Sequence, residues 1–366
     1  MTARVPLLLD VDTGIDDSLA LLYACASPEA EIVAVTCVAG NVDARQVAEN
    51  TRAVLELAGR ADVEVALGRE MPLVRNLVTT PETHGPRGIG YAVLPPPSRP
   101  LSAWFGPDLI VEEARRRPGE LTLVTLGPMT NLAIAVLVEP DLPMLLRRWV
   151  MMGGSYRSPG NTAPTTEWNV SVDPDAAKLC IASFGRPDVT EARRAAGLPP
   201  LPLALGLDVT ERAKLLPDHL AALAARAGAP TARSREAAIG AGADASGAGA
   251  DATGAGGSVP GNPVIRFIDD ALRFYMEFHS RCDGFYGAFV HDPFAVAAAL
   301  DPSLVRTEAL PVDVELDGTL TTGETVTDWR RAWGRPPTLD VAVEGDAAAF
   351  FERFIERVGG LAARVG

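Results

Sequence analysis

Four aspartates lie within eight positions, at the point where an apolar run gives way to a periodic segment. Residues 7–24 read LLLDVDTGIDDSLALLYA and contain Asp10, Asp12, Asp16 and Asp17, with no lysine or arginine between positions 10 and 23. Carboxylates this close repel one another unless a positive charge lies among them. A helix N-terminus supplies only about half a charge. The pattern therefore predicts a divalent cation site, because hard cations such as calcium and magnesium bind carboxylate oxygens.

A purely structural interpretation of the same residues is also open. Asp16 and Asp17 could cap a helix, and Asp10 and Asp12 could begin a turn. The spacing does not match an EF-hand, which distributes its ligands over a twelve-residue loop that ends in glutamate. Four aspartates around a single glycine, Gly14, favour the metal site over simple capping.

The elements that would position these residues alternate along the first half of the chain. The apolar runs VPLLLDV, EIVAVTCV, VEVAL, LTLVTL and RWVMMGG are separated by periodic stretches such as ARQVAENTRAVLELAG. This alternation is typical of βαβ units, and it predicts an α/β fold with an open, mostly parallel sheet flanked by helices. Ligands of such sheets bind at the carboxyl ends of the strands. The polar segments LLLDVD, VAGN, TLGPMTN and MMGGS all fall at that edge, which is therefore the predicted active site.

Composition narrows the possible partners. The chain has 366 residues and a net charge of −14, which argues against nucleic acid as a partner. It lacks a run of about 18 apolar residues, so no membrane span is predicted. The N-terminus has no apolar segment of the signal-peptide type, and the four cysteines show no CxxC spacing. These features predict a soluble cytoplasmic protein with reduced, buried cysteines.

One segment interrupts the α/β pattern. Residues 227–261 read AGAPTARSREAAIGAGADASGAGADATGAGGSVPG and consist mostly of small residues. Such a composition buries too little apolar surface to offset the entropy of ordering, so it predicts a flexible insertion. A linker between two domains is the alternative. The segment AFVHDPFAVAAAL follows the insertion. Its polar pair, His291 and Asp292, could join the site predicted in the first half of the chain. The prediction is one domain over residues 1–366 with an internal insertion.

Several motifs together resemble one enzyme family. DVDTGIDDSLAL closely resembles the N-terminal signature of the nucleoside hydrolases, the inosine-uridine preferring N-ribohydrolases. The likeness continues in order through the following segments: VAGN (38–41), HGPRGIG (84–90), LGPMTNLA (126–133), VMMGGSY (150–156), GNTAPTTEWNVSVDPDAA (160–177) and HDPFAVA (291–297). The resemblance implies a Rossmann-like nucleoside hydrolase fold. It also implies calcium-dependent hydrolysis of the N-glycosidic bond of ribonucleosides to free base and ribose, as part of purine or pyrimidine salvage.

The resemblance also assigns roles to residues. It implies that Asp12, Asp17, Asp292 and the main-chain carbonyl of Leu126 bind calcium, and that Asp12 acts as general base on the attacking water. Asp10 is expected to support the loop by hydrogen bonding. His291 matches a histidine implicated in protonating the leaving base, and a structural hydrogen-bonding role is the alternative. The residues implied to contact the substrate are Asp16, Asn41, His84, Met152, Asn161, Glu167, Asn169 and Asp292.

These implied roles leave other questions open. In this interpretation Asp16 and Asn169 bind the ribose diol, Asn161 and Glu167 the 5′ side, and Met152 packs on the sugar. His219 and His279 lack a motif and are predicted to be solvated or to pack within helices. The motifs do not select the nucleobase. A homodimer or homotetramer is expected by analogy with the family.

Two alternative functions come from other classes. A catalytically silent, calcium-dependent nucleoside or ribose binder would keep the ribose residues and lose the base or a metal ligand. A haloacid-dehalogenase-type phosphatase would use Asp10 as nucleophile and Asp12 as acid and base. The phosphatase hypothesis leaves Asp16 and Asp17 and the TEWN and HDP segments without a role.

Overall fold

The computed structural model describes residues 4–229 and 261–366. Their centre is an eight-stranded sheet with the spatial order β3-β2-β1-β4-β5-β6-β12-β9. Every pairing in it is parallel except that of β12 with β9. The predicted insertion at 227–261 lies almost entirely outside the described residues. The strands are β1 Val5–Val11, β2 Ala30–Cys37, β3 Glu64–Leu67, β4 Thr122–Thr125, β5 Arg148–Met152, β6 Leu203–Leu205, β7 Lys214–Leu215, β8 Ala288–Phe289, β9 Val305–Leu310, β10 Val312–Val314, β11 Thr325–Thr327 and β12 Leu339–Gly345.

Helices cover both faces of this sheet. The longest described helices are α12, which follows the undescribed segment, and the C-terminal α14. The short antiparallel pairs β7–β8 and β10–β11 lie outside the main sheet. The helices are α1 Ile15–Ala26, α2 Ala44–Leu57, α3 Pro81–His84, α4 Gly106–Arg116, α5 Thr130–Val138, α6 Leu142–Leu145, α7 Trp168–Val172, α8 Pro174–Phe184, α9 Pro187–Ala195, α10 Leu207–Thr210, α11 Pro217–Arg226, α12 Pro263–Cys282, α13 His291–Leu300 and α14 Ala347–Val365, with a 3₁₀ turn at Pro302–Leu304.

The central strand β1 is buried on both faces, as its apolar sequence predicts. Leu7, Leu9 and Val11 belong to one core cluster, whereas Leu8 belongs to the cluster on the opposite face. This division follows from the two-residue period of a strand, which sends successive side chains to opposite faces. The predicted α/β fold with an open, mostly parallel sheet is confirmed.

Strand order fixes where a ligand can bind. The chain builds β2 and β3 on one side of β1, and then crosses to build β4, β5 and β6 on the other side. The order therefore reverses between β1 and β4, and a crevice opens beyond the carboxyl ends of these two strands. Asp12 follows β1 directly, and Leu126 follows β4 directly. None of the helices within the two described ranges is long and apolar enough to span a membrane.

Candidate active site

Three carboxylates meet at this edge of the sheet. Oxygens of Asp16, Asp17 and Asp292 lie within 4.8 Å of one another, and all three side chains are buried. Asp16 and Asp17 occupy the first turn of α1, and Asp292 occupies the first turn of α13, which packs against α1. Both helices thus direct their N-terminal partial charges toward the cluster. Tertiary packing brings together acidic residues that are 275 positions apart in the sequence (292 − 17).

Asp12 lies beside this cluster and is held at one carboxylate oxygen. The main-chain N–H of Asn41 donates to its Oδ2 over 2.9 Å. Its other oxygen, Oδ1, is buried and has no hydrogen-bond partner among the described residues. Asp17 accepts from the main-chain N–H groups of Asp12 and Gly14, at 3.2 and 2.9 Å, and these bonds hold the loop between β1 and α1. One oxygen of Asp12 is therefore fixed, and the other is available to a ligand.

The electrostatics of this cluster fit a cation. Burial is the main cause that raises the pKa of Asp12, Asp16 and Asp292, and the neighbouring carboxylate charges raise it further. No lysine or arginine is among the described residues that border the cavity at this edge. The buried, unpartnered Oδ1 of Asp12 and the oxygen-only donor set match the ligands of a hard divalent cation.

Hydrogen bonds hold Asp10 and the carbonyl of Leu126 in place. Asp10 does not border the cavity: its Oδ1 accepts from Thr36 Oγ1 at 2.6 Å and from Asn131 Nδ2 at 2.7 Å, which ties β1 to its neighbours. Burial raises the pKa of Asp10 to about 7. The main-chain carbonyl of Leu126 faces the site and accepts from Asn169 Nδ2 at 2.6 Å. A carbonyl oxygen has two lone pairs, so this bond leaves one of them free.

Four residues predicted to contact the sugar border the cavity around α7 and at the end of β5. Asn169 also donates to the carbonyl of Met152 at 3.2 Å. The Glu167 carboxylate caps α7 by accepting from the main-chain N–H groups of Asn169, Val170 and Gly154, at 2.8, 3.1 and 2.9 Å. Asn161 Oδ1 accepts from the main-chain N–H of Trp168 at 3.0 Å. Glu167 and Asn161 thus hold α7 and its preceding loop, in addition to bordering the cavity.

Two predicted histidines face the cavity with defined ring nitrogens. His84 Nδ1 accepts from the main-chain N–H of Ile15 over 3.1 Å, so the proton of the neutral ring lies on Nε2. His291 Nδ1 lies 2.8 Å from Thr210 Oγ1, whose own proton goes to the carbonyl of Gly206. His291 therefore donates through Nδ1. Burial lowers the pKa of both imidazoles to about 3.

Together these residues enclose a cavity of about 350 Å³, a size typical of small-molecule sites. Asn41 borders it beside the carboxylates, where Asn41 Nδ2 lies 3.3 Å from Asp17 Oδ2. Asp17 is fully buried behind the cavity wall and does not border it. The predicted site residues that border the cavity are Asp12, Asp16, Asn41, His84, Leu126, Met152, Asn161, Glu167, Asn169, His291 and Asp292.

A second group of cavity residues lies outside the motifs recognised in the sequence. His279, predicted to be solvated or to pack within a helix, is buried in α12 and also borders the cavity, as do Asp283 and Glu211. Cys282, expected to be buried, is exposed beside them. His279 and Asp283 are four positions apart at the end of α12, so they share one face of that helix. The signal in the sequence was the four-residue spacing of Tyr275, His279 and Asp283, which places the three side chains on one helix face.

Comparison with known proteins places this architecture in a family. The sequence model of the family described as "Inosine-uridine preferring nucleoside hydrolase" matches residues 7–352. The chain is 34% identical over 355 residues to the pyrimidine-specific ribonucleoside hydrolase RihA of Enterobacter sp. (strain 638), with 97% of each chain covered. It is also 34% identical over 358 residues to the inosine-uridine preferring nucleoside hydrolase of Leishmania major, with 96% of this chain and 98% of that one covered.

A solved structure supports the same conclusion. The purine-preferring ribonucleoside hydrolase from Gardnerella vaginalis superposes with a TM-score of 0.80 at 29% identity. The match covers 98% of this chain and 99% of the Gardnerella chain. The fold, the acidic cavity and the whole-chain matches therefore agree. The chain belongs to the inosine-uridine preferring nucleoside hydrolase family, whose members hydrolyse the N-glycosidic bond of ribonucleosides.

Proposed function

We propose that this enzyme uses calcium to hydrolyse ribonucleosides to free nucleobase and ribose. The observation that carries the proposal is the cluster of Asp16, Asp17 and Asp292, with Asp12 beside it, at a cavity of about 350 Å³ that Asp12, Asp16 and Asp292 border. A cluster of this kind needs a cation, and a calcium ion accepts six to eight oxygen ligands. That number leaves positions for a water molecule and a sugar diol beyond the ligands of the protein.

The proposed calcium ligands are the side chains of Asp12, Asp17 and Asp292 and the carbonyl of Leu126. When bound, calcium would orient a water molecule and lower its pKa, though less than zinc would. The free Oδ1 of Asp12 supports its role as general base, since this atom has no competing hydrogen bond among the described residues. Water attack on the sugar carbon breaks the C–N bond through an oxocarbenium-like transition state.

The ribose would lie between Asp16 of the acidic cluster and the cavity residues around α7. Asp16 and Asn169 are proposed to accept hydrogen bonds from the 2′ and 3′ hydroxyls, since the amide protons of Asn169 already go to main-chain carbonyls. Asn161 and Glu167 are proposed to bind at the 5′ side. Met152 supplies apolar contact to the sugar ring. Because several hydrogen bonds of these side chains go to the main chain, their positions are set before the substrate arrives.

Departure of the base completes the reaction. His291 is proposed to protonate the leaving base, which requires a second proton on a ring that donates through Nδ1 to Thr210. His84 borders the same cavity and is proposed to contact the substrate through the N–H at Nε2. A role in nucleoside salvage, a cytoplasmic location and assembly as a homodimer or homotetramer also belong to this proposal. Sedimentation velocity of the full chain tests the assembly.

The first experiment is a reducing-sugar assay on inosine and uridine. Ribose release that disappears on chelation and returns with calcium, but not with magnesium at equal concentration, supports the proposal. Equal restoration by magnesium would overturn calcium as the specific cofactor. Calcium binding in calorimetry without ribose release from either nucleoside would instead favour the catalytically silent binder.

A further inference from the structure

The end of the cavity formed by the last turn of α12 carries hydrogen-bond acceptors. His279 Nδ1 lies 2.7 Å from Asp283 Oδ2, and the carboxylate can only accept. The imidazole therefore carries its proton on Nδ1. Its Nε2 is then a lone-pair acceptor, and it is buried without a partner among the described residues. The residue is only 4% exposed, so this is an unsatisfied acceptor in a cavity wall.

The surroundings of His279 suit a flat heterocycle. The rings of Tyr275, Phe278 and Phe289 lie 4.5, 5.3 and 4.8 Å from the His279 ring, measured between centroids, and all three border the cavity. The ring of Phe285 stacks on His279 at 5.6 Å. Aromatic faces and edges of this kind pack well against a planar base.

His279 lies one ring away from each of the two histidines already described. Phe289 separates it from His291, with centroid distances of 4.8 and 5.7 Å, and Tyr275 separates it from His84, with distances of 4.5 and 5.3 Å. His291 adjoins the carboxylate Asp292. The His279 end is thus farther along the cavity from the metal and ribose residues, where the distal edge of a nucleobase would lie.

The charged groups near His279 are mostly acidic. Glu211 and Asp283 border the same part of the cavity, and Lys214 lies over the Phe285 ring, 4.4 Å from its centroid. Burial raises the pKa of Glu211 to about 7. Burial also lowers the pKa of His279, although Asp283 opposes this shift, so the neutral ring is favoured. The neutral ring leaves Nε2 of His279 able to accept a hydrogen bond from a ligand.

We propose that His279, oriented by Asp283, accepts a hydrogen bond from a ring N–H at the distal edge of the nucleobase and so determines which nucleosides are cleaved. This inference rests on the proposed function. The favoured bases are those with a lactam or imide N–H, such as hypoxanthine at N1 or uracil at N3. A base whose ring nitrogen is methylated leaves Nε2 unpaired, and a buried unpaired acceptor costs affinity.

The test compares each nucleoside with its methylated counterpart, using the full-length enzyme with calcium. Uridine is paired with 3-methyluridine, and inosine with 1-methylinosine. One neutral hydrogen bond corresponds to about a tenfold difference in kcat/KM. We expect the wild-type enzyme to prefer at least one parent nucleoside by about this factor. His279→Phe, which removes the acceptor and keeps a ring, should reduce that ratio to about 1.

Further variants separate recognition from folding and catalysis. His279→Gln retains an acceptor oxygen and should restore the preference. Asp283→Ala releases Nδ1 at a half-exposed side chain and should lower the ratio without removing the ring. His219→Phe is the matched control, because His219 stacks on Phe351 at 4.2 Å and does not border the cavity. Hydrolysis of 4-nitrophenyl β-ribofuranoside, which has no ring N–H, shows whether the His279→Phe variant still folds into an active enzyme.

The outcomes distinguish this inference from the function on which it rests. An equal preference in wild type and His279→Phe, with the aryl riboside cleaved by both, would overturn the inference alone, since steric exclusion of the methyl group would then explain the preference. No wild-type preference within either pair would also overturn it. Failure of the wild-type enzyme to cleave any of these ribosides would overturn the proposed function, and the inference with it.

Discussion

The main-chain N–H of Asn41 donates to Oδ2 of Asp12 over 2.9 Å and fixes the orientation of that carboxylate. Asn41 follows β2 and Asp12 follows β1, so this bond joins the ends of two neighbouring strands. Because one oxygen is held by a main-chain donor, the other can only face away from it. This hydrogen bond therefore determines which carboxylate oxygen of Asp12 can contact a ligand.

This bond makes Asp12→Asn an informative variant. The amide oxygen can keep the bond to Asn41, which leaves an NH₂ group where Oδ1 stood. An NH₂ group cannot accept a proton, so kcat should fall by about 10²- to 10⁴-fold. Ribose release measures kcat, and thermal unfolding shows whether the fold persists. Asp62→Asn, at an exposed residue paired with Arg60, is the control and should retain full turnover. Near-normal turnover of Asp12→Asn would remove Asp12 as the base.

The close approach of Gly40 to Asp12 predicts a second effect. A Cβ atom at Gly40 would lie 2.9 Å from Asp12 Cγ and 2.8 Å from Pro128 Cδ, and neither neighbour is the end of a flexible chain. Gly40→Ala should therefore lower the free energy of unfolding by about 1–3 kcal/mol and reduce turnover by displacing the carboxylate. Urea unfolding measures the first effect.

A matched glycine provides the control for Gly40. Gly360 lies within α14, and a Cβ there would approach nothing closer than 3.7 Å, at the ends of two arginine side chains. Gly360→Ala should be neutral or stabilise the protein by up to about 1 kcal/mol, since alanine favours helix more than glycine does. Equal destabilisation by both variants would show that the contact with Asp12 is not the cause.

The proposed leaving-group role of His291 predicts that the loss of activity in a variant depends on which group departs. His291→Ala should lower kcat on inosine or uridine by about 10²-fold, because these bases need a proton as they leave. The same variant should change hydrolysis of 4-nitrophenyl β-ribofuranoside by less than about threefold, because the nitrophenolate leaves without one. Stopped assays on both substrates measure the difference. An equal loss on both would assign His291 a structural role instead.

Thr210 offers an independent check on His291. Its hydroxyl lies 2.8 Å from His291 Nδ1, and it lies outside the group of residues that border the cavity. Thr210→Val keeps the shape and removes the hydrogen bond, so it should reproduce part of the His291→Ala loss on nucleosides. Unchanged nucleoside turnover would show that this bond does not position the imidazole.

The raised pKa of Glu211 predicts a pH dependence of stability. Burial, followed by the charges of Asp283 and Asp208, raises this pKa from 4.5 to about 7. Protonated Glu211 is therefore favoured in the folded state, and its contribution is fully present below pH 4.5 and is lost as the pH rises toward 7. Relative to Glu211→Gln, the wild type should lose about 1 kcal/mol across this range, because solvent partly screens the side chain.

Urea unfolding at several pH values measures this loss. Glu120→Gln, at an exposed turn, is the control and should follow the wild-type curve. If the free energies of unfolding of the wild type and Glu211→Gln differ by a constant amount from pH 4.5 to 7, the raised pKa of Glu211 is contradicted.

The sequence by itself determined the fold class and the acidic half of the site. Apolar runs that alternate with amphipathic segments are a local signal, and the clustered aspartates after β1 are contiguous in the chain. Both could be recognised because the physical constraint acts over a few residues: burial on two faces in the first case, and repulsion among neighbouring charges in the second.

The tertiary structure decided which residues from distant parts of the sequence lie together. The crossing from β3 back to β4 brings Leu126 and Asp12 to the same edge, and the packing of α13 on α1 brings Asp292 to Asp17. His279 was missed because a lone histidine on an aromatic helix face is usually part of the core. Only the packing of α12 against β8 puts it in the cavity wall beside Phe289, because side chains from separate elements share a wall only once those elements have packed.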